Sequence, residues 1–192
     1  MMASTTHDAA SARVSSVLTG LWAFIGSEAL FFGSLIASYL YLRIGAGEWP
    51  PPGSPQLDVV IPAFNTIVLL SSGVTMHGAH MSARSGDLDA FRVGTLATIF
   101  LGAAFLGGQA YEYAHAGFGI SSGLLGASFF TLTGFHGAHV AVGLIALALV
   151  YARAARGHYR PGLEYASIEG ATLYWHFVDA IWIVLLLLLY LI

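Results

Sequence analysis

The chain has no cysteine and no lysine, and only 9% of its 192 residues are charged. Without cysteine there can be no disulfide, thiolate metal site, iron–sulfur cluster or covalently attached c-type haem. Without lysine, every strong cation is one of seven arginines. A net charge of −3 offers no basic surface for nucleic acid, which is excluded as a partner. A glycine-rich phosphate loop, a nucleophile elbow and a zincin motif are also missing, so nothing in the order of residues marks a catalytic centre. What remains is apolar: 57% of residues are hydrophobic and the mean hydropathy is +0.75. Soluble domains carry about 25% charged residues because their surface faces water. A chain this apolar has lipid as its solvent.

Crossing ~30 Å of hydrocarbon takes ~20 helical residues. Five segments are long enough, at about 17–42, 59–81, 91–111, 124–151 and 166–191. The expected fold is therefore all-α, a polytopic bundle of five transmembrane helices, with residues 1–16 as a cytoplasmic tail and 17–192 as one membrane domain. The tail is read as a cytosolic lead-in, because the apolar run behind it is too long for a signal-peptide core. Pro50, Pro51, Pro52 and Pro55 stiffen the first connection, and 82–90 is a short polar turn that makes spans two and three antiparallel neighbours. Pro161 and three arginines lie in the last connection. Arg13, Arg84, Arg92, Arg153, Arg156 and Arg160 fall on one side of the membrane and Arg43 alone on the other. Arginine marks the cytoplasmic side, so the N-terminus is expected inside and the C-terminus outside. Small residues four apart, such as Ala104/Gly108 and Gly137/Ala141, allow close helix packing and by themselves say nothing about function.

An ionisable side chain at mid-membrane costs at least ~2.5–3.5 kcal/mol, so each one needs a reason. Glu28 sits ~16 Å into the first span with no arginine near it. It is either protonated or paired with a histidine or a bound lipid. Two identical tetrapeptides, His77-Gly-Ala-His80 and His136-Gly-Ala-His139, lie on spans two and four. Histidines three apart share a helix face and could hold a metal or haem. By helical rise, however, the two pairs lie ~27 and ~18 Å from their outer ends, so interhelical hydrogen bonding is the expected role. Glu112 and His115 have the spacing of one di-iron half-motif, but a di-iron site needs two such motifs and two more glutamates. They are expected to form a hydrogen-bonded pair at a helix end. In the last span His176 and Asp179 share a face and should pair, a structural contact that could also serve as a proton relay. Glu169 is placed at the opening of that helix, where an acid suits the positive end of the dipole.

Taken in order, the polar stretches are Gly-Ser-Glu-Ala-Leu-Phe-Phe (26–32), Pro-Pro-Pro-Gly (50–53), Asn-Thr-Ile-Val-Leu-Leu-Ser-Ser-Gly (65–73) and Gln-Ala-Tyr-Glu-Tyr (109–113). They continue with Ser-Phe-Phe-Thr-Leu-Thr-Gly-Phe-His-Gly-Ala-His-Val (128–140) and Tyr-Trp-His-Phe-Val-Asp (174–179). In these six stretches the chain resembles subunit III of the haem–copper oxidases over about residues 20–192. The resemblance implies a non-catalytic subunit without haem or copper, those cofactors lying in partner subunits. It implies packing on subunit I with subunit II nearby, structural phospholipids in the bundle, and support of proton uptake during turnover, in the cell (inner) membrane. It makes Glu28 the match of the family's carbodiimide-reactive membrane glutamate. Longer members carry two further helices before the matching stretch, and this chain resembles the shorter five-helix members. Two alternatives remain open at this point: subunit III of a quinol oxidase or nitric oxide reductase, and an independent membrane redox protein using the paired histidines.

Overall fold

A computed structural model describes residues 2–54, 57–159 and 163–191, with the backbone alone at 2–15, 17 and 163–165. Pro55, Arg160 and Pro161, and the side chain of Arg13, lie outside the described residues. The helices are α1 (Met2–Gly45), α2 (Val60–Arg84), α3 (Leu88–His115), α4 (Gly123–Ala155) and α5 (Leu163–Leu186), the last continuing as a π-helical turn, Leu187–Leu191. Five stretches are long and apolar enough to cross a membrane, with α1 contributing Leu18–Gly45 and the last helix Ala166–Leu191. Helices α2, α3 and α4 run three to four residues past the C-terminal ends of the segments marked by hydropathy, and α3 and α4 begin one to three residues before them, while α2 begins one residue later. Polar residues such as Arg84 and His115 lie inside the helical ends, because a helix continues into the headgroup region where hydropathy has already fallen.

The turns follow from local chemistry. Gly86, at φ 85°, ends α2: its N–H donates to Ala83 O and that of Asp87 to Ser82 O. This is the Schellman arrangement, which a residue with a Cβ adopts only at a cost. Asp87 then caps α3, its carboxylate accepting from Ala90 N at 2.9 Å. One three-residue turn thus stops one helix, starts the next and sets them antiparallel. Gly157 ends α4 in the same way, with His158 N donating to Arg153 O.

The chain after α1 closes into a ring in which α2 packs on α3, α3 on α4, α4 on α5 and α5 back on α2. Helix α1 lies outside this ring against α5 and, less extensively, α4. Its only buried residues among those described are Phe32 and Tyr39. The polarity of a soluble protein is reversed: Leu30, Phe100 and Ile145 are well exposed, whereas Ser72, Thr95, Thr98, Thr133 and His136 are fully or almost fully buried. In lipid the apolar groups gain nothing by hiding, while hydroxyls and amides must find partners inside. The centre of the ring is aromatic. Trp175 is wholly buried in a slot between α3 and α4 where glycines, Gly102 and Gly143, leave room for its ring.

Candidate functional site

Glu28 finds its partner across a helix boundary. Its Oε2 lies 2.9 Å from His139 Nε2, tying α1 to α4. The other ring nitrogen, Nδ1, is 2.7 Å from Phe135 O, and since a carbonyl only accepts, Nδ1 carries a proton. The Glu28–His139 bond then needs one more proton, held on the carboxyl or on Nε2. Either placement leaves the pair with no net charge, which is what the membrane interior favours. Phe31 and Phe32 stack on and edge against the His139 ring, and Tyr174 OH donates to His139 O at 3.2 Å.

Beside this pair, a cavity of about 410 Å³ opens between α1, α4 and α5. Leu21 and Phe24 of α1, Val142 and Leu149 of α4 and Tyr174 of α5 line it, with Arg153 at its edge. It is almost wholly apolar apart from that arginine. The Phe24 ring stacks on Tyr174 with centroids 6.1 Å apart, so one tyrosine faces both the cavity and the residue that holds Glu28.

The two His-Gly-Ala-His segments do not meet. Helices α2 and α4 stand across the ring from one another, and only neighbours in the ring pack. His136 is completely buried between Phe105 and Trp182, with ring centroids at 5.6 and 4.9 Å. Neither of its ring nitrogens has a hydrogen-bond partner, so the interhelical hydrogen bond expected of it is replaced by aromatic contact. His139, one turn along, faces α1. His77 lies 6.4 Å from His176 of α5, centroid to centroid, and His80 is half-buried near them with Nδ1 unpartnered. Among the described residues, no group of three or more His, Asp or Glu side chains is arranged to hold a metal ion.

His176 Nδ1 and Asp179 Oδ2 stand 3.6 Å apart, Asp179 nearly buried and His176 41% exposed. The Asp179 carboxylate rests on Gly73 of α2, where a Cβ would overlap it. Two expectations are corrected. Glu112 does not bond His115: it accepts from Tyr190 OH at 2.9 Å, while His115 Nδ1–H donates to Tyr111 O in its own helix. The π turn brings Tyr190 over the end of α3, which sequence spacing could not foretell. Glu169 is not at the opening of α5 either. The helix starts at Leu163, so Glu169 stands nearly two turns inside, beyond the reach of the dipole, exposed and within electrostatic range of His80.

Several cross-helix bonds escaped sequence reasoning. Trp175 Nε1 donates to Ser72 Oγ at 3.0 Å and Trp182 Nε1 to Thr66 Oγ1 at 2.9 Å. Gln109 Nε2 donates to Thr133 O at 2.7 Å, and Thr75 and Thr98 hydroxyls lie 2.8 Å apart. A signal did exist, since hydroxyl residues recur at helical spacing within apolar spans. Arg92 and Arg43 also do more than set charge. Arg92 donates to Ala154 O at the end of α4, and Arg43 reaches Leu188 O and lies over the Trp49 ring.

The family model for cytochrome c oxidase subunit III matches residues 2–192. A cytochrome c oxidase subunit 3 from Thermostichus vulcanus is 40% identical over 172 residues, covering 89% of this chain and 85% of the relative. One from Corynebacterium diphtheriae is 40% identical over 195 residues, covering 98% and 94%. One from Neurospora crassa is 39% identical over 178 residues, covering 89% of this chain and 65% of that longer relative. With five membrane-length helices and a match from end to end, the chain belongs to the cytochrome c oxidase subunit III family.

Proposed function

We propose that this chain is the non-catalytic subunit III of a proton-pumping haem–copper terminal oxidase of the cytochrome c type. It packs chiefly on subunit I, with subunit II nearby, in the inner or cell membrane, and it stabilises the complex and sustains proton uptake during O2 reduction. The observation that carries this reading is the family match over residues 2–192 together with relatives named cytochrome c oxidase subunit 3 on nearly their whole length. Those names favour cytochrome c over quinol as electron donor. Haem and copper belong to the partner subunits. The separation of the two paired-histidine segments supports this, since they sit in different surroundings and share no face.

The cavity beside Glu28 suits the acyl chain of a phospholipid, because its wall is apolar and Arg153 stands where an anionic headgroup would lie. Glu28 acts there in assembly and lipid retention, held by His139, and takes no part in electron transfer. The arginine distribution supports an N-terminus inside and a C-terminus outside. The test is purification. A tagged chain is expected to bring down a complex with haem absorbance, and the chain separated from that complex should show none. Haem, iron or copper bound in stoichiometric amount to the separated chain, and lost in His77→Ala and His136→Ala, would overturn the proposal.

A further inference from the structure

Five ionisable residues line one seam where α2 meets α5. His80 and His77 come from α2, and Glu169, His176 and Asp179 from α5. Counted by helical rise from Arg84 and Ala166, they form a graded row. Glu169 and His80 lie about 5–6 Å in, His77 about 10 Å, His176 about 15 Å and Asp179 about 20 Å. The row therefore runs from the headgroup level to mid-membrane. It is not covered by this chain: Glu169 and His77 are exposed and the His176 side chain is 41% exposed, whereas Asp179 is buried beneath them.

The His77 ring, and the side of the His176 ring turned away from Asp179, face hydrocarbon at about 10–15 Å depth and carry the cost of polar groups in lipid. No other exposed face of the described bundle has this character: α3 shows Val93, Leu96 and Phe100, and α4 shows Val142, Ile145 and Leu149. Those faces suit lipid and the seam does not. A phospholipid headgroup stays at the interface, level with Glu169 and His80 at most. A second copy of this chain fits no better. All copies insert the same way round, so a twofold axis along the membrane normal would set His176 against His176 and Glu169 against Glu169. Complementarity requires a different chain.

We infer that the α2–α5 seam is the docking face for a transmembrane helix of another oxidase subunit. That helix carries hydrogen-bond acceptors level with His77 and His176 and a donor or cation level with Glu169. The inference rests on the chain being an oxidase subunit and adds which face meets the partner. Burying the row against such a helix satisfies the imidazoles and leaves the cavity on the other helix boundary free for lipid.

The test places a photo-crosslinking residue, p-benzoylphenylalanine, at Ala180 or Ile183. These share a face with His176, one and two turns on, and are exposed without belonging to the polar row. Controls carry the same group at Phe100 and Ile145. Irradiation of the whole complex is expected to join this chain to a subunit of different mass from 180 and 183, and from neither control. Lipid adducts alone at 180 and 183, a product of twice this chain's mass, or crosslinks only from the controls would overturn the seam. In those cases the chain still co-purifies with haem and its assignment as a subunit stands. A chain absent from the haem-bearing complex would overturn both.

Discussion

Three glycines, on three helices, each face a polar side chain from a neighbour: Gly73 meets the Asp179 carboxylate, Gly108 the Asn65 carboxamide and Gly137 that of Gln109. At such contacts the helix presents Cα–H groups, weak donors that a carboxyl or amide oxygen can use, and the absent Cβ brings the backbones close. Gly108 has a natural control in its neighbour, because nothing lies within 4 Å of a Cβ at Gly107. Gly108→Ala is expected to destabilise the bundle by about 1–3 kcal/mol through overpacking. Gly107→Ala is expected to be neutral or to stabilise by up to about 1 kcal/mol through helix propensity. Reversible unfolding of both variants in mixed micelles checks the contrast, and equal effects would contradict it. Both positions belong to small-residue pairs in the sequence, Ala103/Gly107 and Ala104/Gly108. The sequence could not tell them apart, since which of two adjacent glycines faces α2 depends on how the helix is rotated in the bundle. The same limit applies to histidine. One tetrapeptide occurs twice, yet His136 lies among aromatic rings and His77 on an open seam, because the surroundings come from neighbouring helices.

Helix α1 is the element held most lightly, standing outside the ring with two buried side chains among its described residues. Polar contacts fix it at two levels. Glu28 bonds His139 of α4 near mid-span, and at the far end Tyr39 OH donates to Leu188 O at 2.8 Å, joined by Arg43. Leu188 lies in the π turn, and a π turn departs from regular i→i−4 bonding in a way that often marks a functional position. Between the Glu28 level and the N-terminal end of the span, α1 parts from α4, and the cavity opens there. Because the Glu28–His139 bond joins α1 to α4, where the two helices pack less extensively than α1 and α5, it should be measurable by itself. A double-mutant cycle with Glu28→Leu and His139→Leu is expected to give a coupling energy of about 1 kcal/mol, at the upper part of the range for interhelical hydrogen bonds in membranes. Additive losses would show that the pair contributes packing alone. That Glu28 needs a histidine or a lipid was legible from its depth in an apolar span. Which histidine it takes was not, because several others lie on the remaining spans and depth counted from uncertain helix ends is coarse. The existence of five spans was the most legible feature, since ~20 apolar residues in a row admit few other structures. The π turn left no trace in a run of leucines.

For the molecule as a whole, the arginines do double work, and this bears on how it lies in the membrane. The ends of α2 and α4 and the start of α3 share one end of the bundle, as the bond from Arg92 to Ala154 O requires. Arg84, Arg92, Arg153 and Arg156 therefore gather there, while Arg43 stands at the opposite end, engaged with Tyr39, Leu188 and Trp49. A cation that must be hydrated during insertion resists crossing the membrane, so the proposed orientation keeps the arginine-rich end in the cytoplasm. The lone Arg43 does not offset this, because it is one cation against the four gathered at the other end. The chain lends itself to a direct test, since it has no cysteine to remove. Ser85 and Ser121 are exposed in turns at opposite ends of the bundle. In intact cells or right-side-out vesicles, a membrane-impermeant maleimide is expected to label Ser121→Cys at once and Ser85→Cys only after permeabilisation. The reverse pattern would place four arginines outside. It would also put Glu169 and His80, the shallow end of the α2–α5 row, on the outer surface, so that any proton reaching His176 and Asp179 along that row would enter from the side where a pumping oxidase releases protons.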